Sequence, residues 1–241
     1  MKGKILIIPD VHGRTFWKKA LDTGEYEKVI FLGDYVDPYE FEGITSEVAL
    51  DNFKSIIAYK QQNTDKVVLL LGNHDLHYFS EYYYELAGGG RYNPFLAMTL
   101  HRLFRDNRQL FQLAWETELG DKHYLFSHAG ITQTWLSENM EQIGKPDAWH
   151  LNRLIQTNEG LEALGQVGRL RGGFYESGSM VWADVVELAV SDPLPNCYQV
   201  VGHTMQLDGP IITDKFACLD SRMAFSLNDK GNFSPVTEKS G

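Results

Sequence analysis

Short apolar runs, each closed by small or polar residues, recur along the chain between longer stretches that have helical spacing. The runs cover residues 4–9, 28–33, 66–72, 123–127 and 197–202. Unbroken Val, Ile and Leu runs are typical of strands buried on both faces, because such sheets carry helices on at least one side. The pattern therefore predicts an α/β fold built on largely buried strands.

Helical spacing is clearest over residues 45–62, where apolar residues recur every three or four positions and Thr45 can cap the first turn. A second helix is expected to begin at Asn93 and to continue toward Ala114. Its polar face carries three arginines and is predicted to be solvated. They are Arg102, Arg105 and Arg108.

The middle of the chain is predicted to be a helical cover followed by a long loop. Residues 131–164 have helical spacing that is interrupted at Gly144 and Pro146, and residues 165–178 are rich in glycine. Two other segments are expected to lack regular structure, namely the glycine run 88–90 and the polar tail 232–241.

Strands and helices alternate throughout, and no internal repeat or linker interrupts them. This organisation favours a single domain over residues 1–241. Helices and loops are expected to cover it at about residues 76–122 and 131–180.

Composition and charge narrow the possible functions. Hydrophobic residues make up 43% and charged residues 22% of the chain, as in ordinary folded proteins. The formal net charge is -10 and no segment concentrates basic residues, so we expect no nucleic-acid partner. No apolar run approaches the roughly 20 residues of a membrane span, so we expect no membrane partner. Cys197 and Cys218 are too few for a disulfide framework, which favours a cytoplasmic location.

Residue types that bind metal ions follow each of the five apolar runs. The clusters are Asp10-Val-His12-Gly13, Gly33-Asp34-Tyr-Val-Asp37, Gly72-Asn73-His74-Asp75, Ser127-His128-Ala-Gly130 and Gly202-His203-Thr204. The carboxyl ends of the strands in an open α/β sheet share one edge. We therefore expect these residues, far apart in sequence, to meet there.

The gathered side chains would be carboxylates, imidazoles and one carboxamide, without cysteine. This donor set suits Mn, Fe, Zn or Co and argues against a structural zinc or an iron–sulfur cluster. More than four ligands indicates two ions, which would also offset the repulsion between the carboxylates. Each cluster alone has a simpler interpretation as a turn carboxylate or a hydrogen-bonded histidine. Their combination favours the metal site.

In this order, the clusters resemble those of the calcineurin-like metallophosphoesterases, and within them the phosphoprotein-phosphatase branch. The resemblance extends from Asp10 to about Asp220. Residues 72–77 and 128–135 are similar to symmetrical diadenosine tetraphosphate hydrolases, and Met180-Val-Trp-Ala-Asp184 is similar to a Leu-Trp-Ser-Asp segment of protein phosphatases. The resemblance implies a four-layer fold in which two packed mixed β-sheets are flanked by helices, with a dinuclear metal site at one edge.

The resemblance also implies a ligand set. Asp10 and His12 would bind the first metal and Asp34 would bridge both. The second metal would be completed by Asn73, His128 and His203. Family members that act as nucleases often have a second histidine in Gly-His-x-His, but Met205 stands at that position here, which favours the phosphoprotein-phosphatase pattern. Mn is the expected metal, with Fe and Zn as alternatives.

The implied mechanism is hydrolysis by a hydroxide that bridges the two metals. Such ions lower the pKa of a bound water and neutralise the phosphoryl oxygens. His74 is positioned next to a ligand and is the expected general acid for the leaving group. Asp37 would orient His74 by a hydrogen bond.

One position departs from the family pattern. The family usually continues Gly-Asp-x-Val-Asp with Arg-Gly, and that arginine grips the substrate phosphate, whereas Pro38 and Tyr39 follow Asp37 here. The candidate replacements are Arg14, Arg91, Arg169 and Arg171. We rank Arg171 and Arg91 first.

The expected substrate is a phosphomonoester or a phosphoanhydride. A Ser/Thr phosphoprotein, a nucleotide such as a dinucleoside polyphosphate, and a small phosphoester all suit the same centre, because specificity depends on the covering loops. The alternative function is that of a catalytically weak phosphatase-like protein that binds phosphate or acts as a scaffold. Such a protein is expected to lack some ligands or the acid pair, yet all of them are present in this sequence.

Overall fold

The computed structural model describes residues 4–87, 90–190 and 193–236, and its strands form two sheets. The strands are β1 (Ile5–Ile8), β2 (Lys28–Phe31), β3 (Val67–Leu70), β4 (Phe111–Gln112), β5 (Ala114–Leu119), β6 (Lys122–Ser127), β7 (Tyr198–Val201), β8 (Ile211–Ile212), β9 (Phe216–Cys218), β10 (Phe225–Leu227) and β11 (Phe233–Pro235).

Both sheets are mixed. The first has the order β11-β10-β1-β2-β3-β4, in which β1 to β4 run parallel and the β1–β10 and β10–β11 pairs are antiparallel. The second has the order β5-β6-β7-β9-β8, with a parallel centre and antiparallel pairs at both edges. The carboxyl ends of β1, β2 and β3 therefore lie at one edge of the first sheet.

Short helices and turns connect and cover the sheets. The helices are α1 (Phe16–Leu21), α2 (Ser46–Gln62), α3 (Asn73–Phe79), α4 (Glu81–Ala87), α5 (Ala97–Asp106), α6 (Gln133–Glu138), α7 (Met140–Ile143), α8 (Ala148–Leu151), α9 (Asn158–Leu164) and α10 (Val185–Val190). Turns of 3-10 helix lie at Glu40–Glu42, Arg108–Leu110, Leu154–Gln156 and Arg169–Arg171. No helix among the described residues is long and apolar enough to cross a membrane.

The continuous apolar strands are explained by burial on both faces. Ile5, Ile7 and Ile30 pack with Phe126 and Val200 of the other sheet in one buried cluster, so the two sheets lie face to face. The alternate residues of β1 and β2 pack under helices such as α2 in a second cluster. Helix α10 covers the outer face of the second sheet, where it contacts β7 and β9. The layers are thus helix, sheet, sheet and helix, which confirms the expected fold class.

Helix α2 follows the sequence prediction closely. The Thr45 side chain accepts a hydrogen bond from the backbone N–H of Val48 at 3.3 Å, which caps the first turn. Phe53, Ile56 and Ile57 are buried against the first sheet. Burying three such side chains stabilises the fold by roughly 1.5–3 kcal/mol each.

The prediction that the second helix continues toward Ala114 was wrong. Helix α5 ends at Asp106, and the Asn107 side chain donates to the Leu103 carbonyl and occupies the end of the helix. The following residues form β4 and β5, and β5 pairs with β6 from Ala114 opposite Ser127 to Leu119 opposite Lys122. Half-buried strands with polar residues are difficult to predict, because cross-strand packing rather than local preference stabilises them.

The remaining sequence predictions agree in part. Residues 133–164 form four short helices, and residues 165–178 contain a single 3-10 turn, as the glycine content indicated. The tail is ordered further than expected, since β11 pairs with β10. Residues 88–89 of the predicted glycine turn and residues 237–241 of the tail lie outside the described residues.

Truncation of Phe225 tests the packing of the two sheets. This β10 side chain is 1% exposed within the cluster between them, so we expect Phe225→Ala to lower the free energy of unfolding by about 3–5 kcal/mol in urea denaturation. Phe174→Ala is the matched control, because Phe174 is 94% exposed and its loss should change stability by less than about 0.5 kcal/mol. Equal effects of the two substitutions would contradict the packing described here.

Candidate metal centre and active site

Six predicted ligand side chains meet where five strands end. Asp10 and His12 follow β1, Asp34 follows β2, Asn73 begins α3 after β3, His128 follows β6 and His203 follows β7. Five of the six residues are buried and the sixth, His203, is partly exposed. The face-to-face packing of the sheets therefore brings ligand-type residues from both sheets to one edge.

The side chains form two overlapping groups that could hold metal ions. The first contains Asp10, His12 and Asp34, and the second contains Asp34, His128 and His203. Within each group the nitrogen and oxygen atoms that could bind a metal all lie within 4.8 Å of one another. Asp34 belongs to both groups, so its carboxylate lies between them.

The backbone at this edge has an unusual conformation. His12, Asp34, Asp37 and His203 have positive φ angles of 43°, 53°, 56° and 65°, and they are four of the six described non-glycine residues with this property. Non-glycine residues adopt this left-handed conformation at an energetic cost, although Asp, Asn and His tolerate it best. Strain of this kind concentrates at functional sites, where the surrounding structure holds it in place.

Two glycines allow the carboxylates to approach the neighbouring strand ends. A Cβ atom at Gly72 would lie 2.1 Å from Asp34 Oδ1, and a Cβ atom at Gly202 would lie 2.2 Å from Asp10 Oδ1. The same oxygens accept hydrogen bonds from backbone N–H groups, from His74 to Asp34 at 3.0 Å and from His203 to Asp10 at 2.8 Å. The glycines of the Gly-Asn-His and Gly-His-Thr motifs thus make room for the ligands.

Asp75 holds the turn that carries Asp34. This buried carboxylate accepts backbone N–H bonds from Asp34 at 2.7 Å, Tyr35 at 2.9 Å and Gly72 at 2.9 Å. It therefore ties the end of β2 to the start of α3. Sequence reasoning included Asp75 in a cluster but gave it no role, although its position three residues after Gly72 at a helix start is typical of a capping acid.

Hydrogen bonds define which nitrogens of two histidines are free to bind a metal. Nδ1 of His128 donates to the Leu32 carbonyl at 2.8 Å, and Nδ1 of His12 donates to the Val36 carbonyl at 2.9 Å. Each Nε2 atom therefore presents a lone pair to the site. Burial lowers the pKa of His12 and of His203 well below the ordinary value, which keeps these imidazoles neutral, the form that binds metals.

Several atoms near these lone pairs are themselves acceptors, although Nδ1 of His203 lies 3.1 Å from Nε2 of His128 and Nη2 of Arg91 lies 3.4 Å from Nε2 of His12. Nε2 of His128 lies 3.1 Å from the Asn73 side-chain oxygen and 3.5 Å from Asp34 Oδ2, and Nε2 of His12 lies 3.4 Å from the same Asp34 oxygen. Acceptors that face one another repel unless a cation lies between them. In addition, Nε2 of His203 is buried with no hydrogen-bond partner among the described residues. The residues therefore fit divalent metal ions with nitrogen and oxygen ligands.

A histidine–carboxylate pair lies beside this centre. Nδ1 of His74 donates to Asp37 Oδ2 at 2.9 Å, and the second oxygen of Asp37 accepts from the Tyr78 hydroxyl at 2.6 Å. The Tyr78 hydroxyl in turn accepts from the Asn93 N–H at 2.7 Å. Sequence reasoning missed Tyr78, but its place four residues after His74 on α3 puts both side chains on one helix face.

Arg91 contacts both members of the His74–Asp37 pair. Its Nη2 lies 3.0 Å from Nε2 of His74 and 3.4 Å from Nε2 of His12, and its Nη1 donates to the Asp37 carbonyl at 2.9 Å. The guanidinium carbon is 3.7 Å from the centre of the Tyr39 ring, a short cation–π contact. Tyr39 stands in the segment where the sequence lacks the arginine of the family pattern. It thus supports Arg91, which comes from another part of the chain.

The other candidate arginines have different surroundings. Arg171 lies near His203, since it donates to the Thr204 hydroxyl at 2.6 Å and pairs with Asp184 at 3.0 Å. Arg14 is buried and forms a salt bridge with Glu42 at 2.7 Å, so its guanidinium is not available to a substrate. Arg169 is exposed on the 3-10 turn.

Comparisons with known proteins provide independent information on the family. A family model described as calcineurin-like phosphoesterase matches residues 3–204. Comparison with curated protein sequences finds no match.

Two solved structures are similar to the chain at low identity. A protein serine/threonine phosphatase from Saccharomyces cerevisiae with similarity to human phosphatase PP5 is 18% identical, with a TM-score of 0.49 over 100% of this chain and 81% of that one. A metallophosphoesterase from Sphaerobacter thermophilus is 19% identical, with a TM-score of 0.30 over 53% of this chain and 46% of that one. Since the match to the family model covers most of the chain, the chain belongs to the calcineurin-like phosphoesterase family and is a metal-dependent hydrolase of phosphoric esters.

Proposed function

We propose that the chain hydrolyses a phosphomonoester or a phosphoanhydride at a centre that binds two divalent metal ions. The position of Asp34 carries this proposal, because Oδ2 of its carboxylate lies 3.4 Å from Nε2 of His12 and 3.5 Å from Nε2 of His128. An oxygen shared by two groups of ligand atoms is suited to bridge two ions, an arrangement common in enzymes that hydrolyse phosphoric esters.

In this proposal Asp10 and His12 hold the first ion, while the second is held by Asn73, His128 and His203. The backbone hydrogen bonds to Asp10 and Asp34 orient one oxygen of each carboxylate and leave the other oxygen for the metal. We propose Mn as the metal, with Fe and Zn as alternatives, since the donor set suits all three. Bound ions of this kind lower the pKa of the attacking water and neutralise charge on the phosphoryl oxygens.

His74 is the proposed general acid. Its Nδ1–H is held by Asp37, so Nε2 is the atom that delivers a proton to the leaving oxygen. Asp37 is itself fixed by the Tyr78 hydroxyl, which limits rotation of the pair.

Arg91 is the proposed substitute for the missing phosphate clamp. Its guanidinium lies between His74 and His12, and Tyr39 supports it from one face. A planar guanidinium can bind two phosphate oxygens at once. Arg171 is a second candidate, but its contacts with Thr204 and Asp184 occupy part of its guanidinium.

We propose substrates of the phosphoprotein, nucleotide or small phosphoester type. The similarity to the phosphoprotein-phosphatase branch supports a Ser/Thr phosphoprotein or a dinucleoside polyphosphate. Cys197 and Cys218 are both free, which agrees with a reducing compartment, and we propose a cytoplasmic location. The retained acid pair and ligands speak against the alternative of a weak phosphate-binding or scaffold protein.

Substitution of the shared carboxylate tests the dinuclear centre. We expect metal-stripped protein to take up two equivalents of Mn²⁺, as measured by elemental analysis after gel filtration, and Asp34→Asn to take up one or none. Hydrolysis of para-nitrophenyl phosphate should fall at least about a hundredfold. Removal of a residue that only supports a metal ligand by a hydrogen bond typically lowers activity by about 10- to 100-fold, and removal of the ligand itself should lower it more. The control is Asp22→Asn, which changes an exposed carboxylate and should leave metal binding and activity unchanged. Full metal binding and activity in Asp34→Asn would refute the bridging role.

The acid assignment predicts a dependence on the leaving group. In His74→Ala, kcat for a phosphoserine peptide should fall by about 10²- to 10⁴-fold, because its alkoxide needs a proton. The decrease should be much smaller for para-nitrophenyl phosphate, whose leaving group is stable as an anion. His150→Ala, which removes a partly exposed histidine paired with Asp147, should leave both rates unchanged. Equal losses on the two substrates would exclude His74 as the acid.

Substitution of the arginines distinguishes the two clamp candidates. Arg91→Ala should lower kcat/KM by roughly 10- to 100-fold, which corresponds to about 1.5–3 kcal/mol for a charged hydrogen bond, and Arg91→Lys should restore only part of it. Arg171→Ala should have a smaller effect. Arg153→Ala, which removes an arginine stacked on Trp149, is the control. A larger loss in Arg171→Ala than in Arg91→Ala would assign the clamp to Arg171 instead.

A further inference from the structure

One face of α5 is exposed and begins at the mouth of the active site. Leu100 and Phe104 are buried on the inner face of this helix. Met98 on the outer face is 78% exposed, and Phe95 in the turn before the helix is 94% exposed. Both precede two exposed arginines. The four residues Phe95, Met98, Arg102 and Arg105 are here called the docking strip. The last three recur at three- and four-residue spacing within α5 and therefore share one face of the helix.

The docking strip is continuous with the proposed catalytic groups. A cleft of about 640 Å³ is lined by Asp37, Arg91 and Phe95 among others, so the first residue of the strip shares a cleft with the carboxylate partner of His74 and with the proposed clamp. A second cleft of about 490 Å³ is lined by Met98, Arg102, Arg105 and His101 among others. The His101 ring lies 6.3 Å from that of Tyr78, the residue that donates to Asp37.

The charge of the docking strip contrasts with that of the whole protein. The chain has a net charge of -10, yet three arginines line the second cleft, and Glu81 is the one acidic residue in that lining. Arg108 is engaged in the fold, since it lies over the Phe79 ring and donates to the Ile155 carbonyl at 2.8 Å. Arg102 has no ion pair among the described residues. Arg105 pairs with Asp106 at 3.1 Å, but its side chain is 73% exposed, and such surface pairs contribute little.

We propose that the docking strip binds an acidic segment of a phosphorylated protein substrate, next to the phosphorylated residue in the active site. The proposal rests on the proposed function and specifies its substrate class. Phe95 and Met98 would contact apolar side chains close to the phosphorylated residue, while Arg102 and Arg105 would pair with carboxylates farther along the chain. Complementary charges of this kind direct the choice and orientation of partners more than they add affinity.

The geometry of the helix sets the expected spacing. Met98 and Arg105 are seven residues apart, which is about 10 Å along a helix at about 1.5 Å per residue. An extended peptide covers that length with about three residues at roughly 3.3 Å each. A block of three acidic residues therefore spans the length from Met98 to Arg105, which includes both arginines, and a spacer of a few residues should separate it from the phosphorylated residue.

A nucleotide substrate fits the docking strip less well. The negative charges of a dinucleoside polyphosphate lie between its two nucleosides and would be bound at the metals. A base that stacked on Phe95 would carry no further negative charge toward Arg102 and Arg105. The position of the arginines beyond the exposed apolar residues thus favours a polypeptide.

Phosphothreonine peptides of equal length test the proposal with the intact, Mn²⁺-loaded protein. Each peptide carries a block of three Glu or three Gln residues, separated from the phosphothreonine by a spacer of three or five residues. The block lies on the amino-terminal side of the phosphothreonine in half of the peptides and on the carboxyl-terminal side in the others. At low ionic strength we expect at least one Glu peptide to have a kcat/KM about tenfold above that of its Gln counterpart. This advantage should be lost in Arg102→Glu/Arg105→Glu and retained in the control Lys18→Glu/Arg153→Glu, which changes two exposed cations elsewhere.

Two further measurements make the outcome unambiguous. Turnover of para-nitrophenyl phosphate should be equal in all three proteins, which shows that the variants are folded; no turnover in the unmodified protein would refute the proposed function itself. Glu peptides that are hydrolysed no faster than Gln peptides, or an advantage that survives the double substitution, would overturn the docking proposal. Loss of diadenosine tetraphosphate hydrolysis in Arg102→Glu/Arg105→Glu, with peptide turnover unchanged, would overturn it as well.

Discussion

The mutual repulsion of acceptor atoms around Asp34 is the constraint on which this structure depends. One carboxylate oxygen faces the lone pairs of two imidazoles whose protons are committed to backbone carbonyls on the other side of each ring. In a buried site this arrangement is unfavourable without positive charge, and the Arg91 guanidinium, 3.4 Å from the His12 nitrogen, offsets only part of the repulsion. The proposed metal ions provide that charge, and the same charge is what activates water and binds a phosphoryl group. The cluster of acceptor atoms that destabilises the metal-free site is thus the same cluster that would bind the catalytic metal ions.

The rest of the fold holds these groups in place against their repulsion. The two sheets pack through a buried cluster of aliphatic and aromatic side chains, which makes the strand ends a rigid platform. Asp75 accepts three backbone N–H bonds and thereby links the turn after β2 to the start of α3. Left-handed residues at His12, Asp34 and His203 turn the chain sharply after each strand. Their conformational cost is borne by the surrounding packing, as is common at functional sites.

Much of the centre could be predicted from the sequence, because its residues directly follow apolar runs. Parallel strands of one sheet end at a common edge, so local patterns at residues 10–12, 34 and 73 imply proximity. His128 and His203 follow strands of the second sheet and reach the same place through the packing of the two sheets. The sequence favours Arg171 and Arg91 as phosphate clamps but does not decide between them. Arg91 reaches the site from the segment between α4 and α5, and its contact with Tyr39 arises only in the folded chain. The hydroxyl of Tyr78 and the strand β5 were missed for the same reason, since both are stabilised by tertiary partners.

The central claim is that a single carboxylate bridges two metal ions, and electron paramagnetic resonance of protein loaded with two equivalents of Mn²⁺ tests it most directly. Two ions, one held by Asp10 and His12 and the other by Asn73, His128 and His203, with Asp34 common to both, would be close enough for their electron spins to couple. The account therefore predicts the spectrum of a spin-coupled Mn²⁺ pair. A spectrum of isolated Mn²⁺ ions at full loading would contradict it.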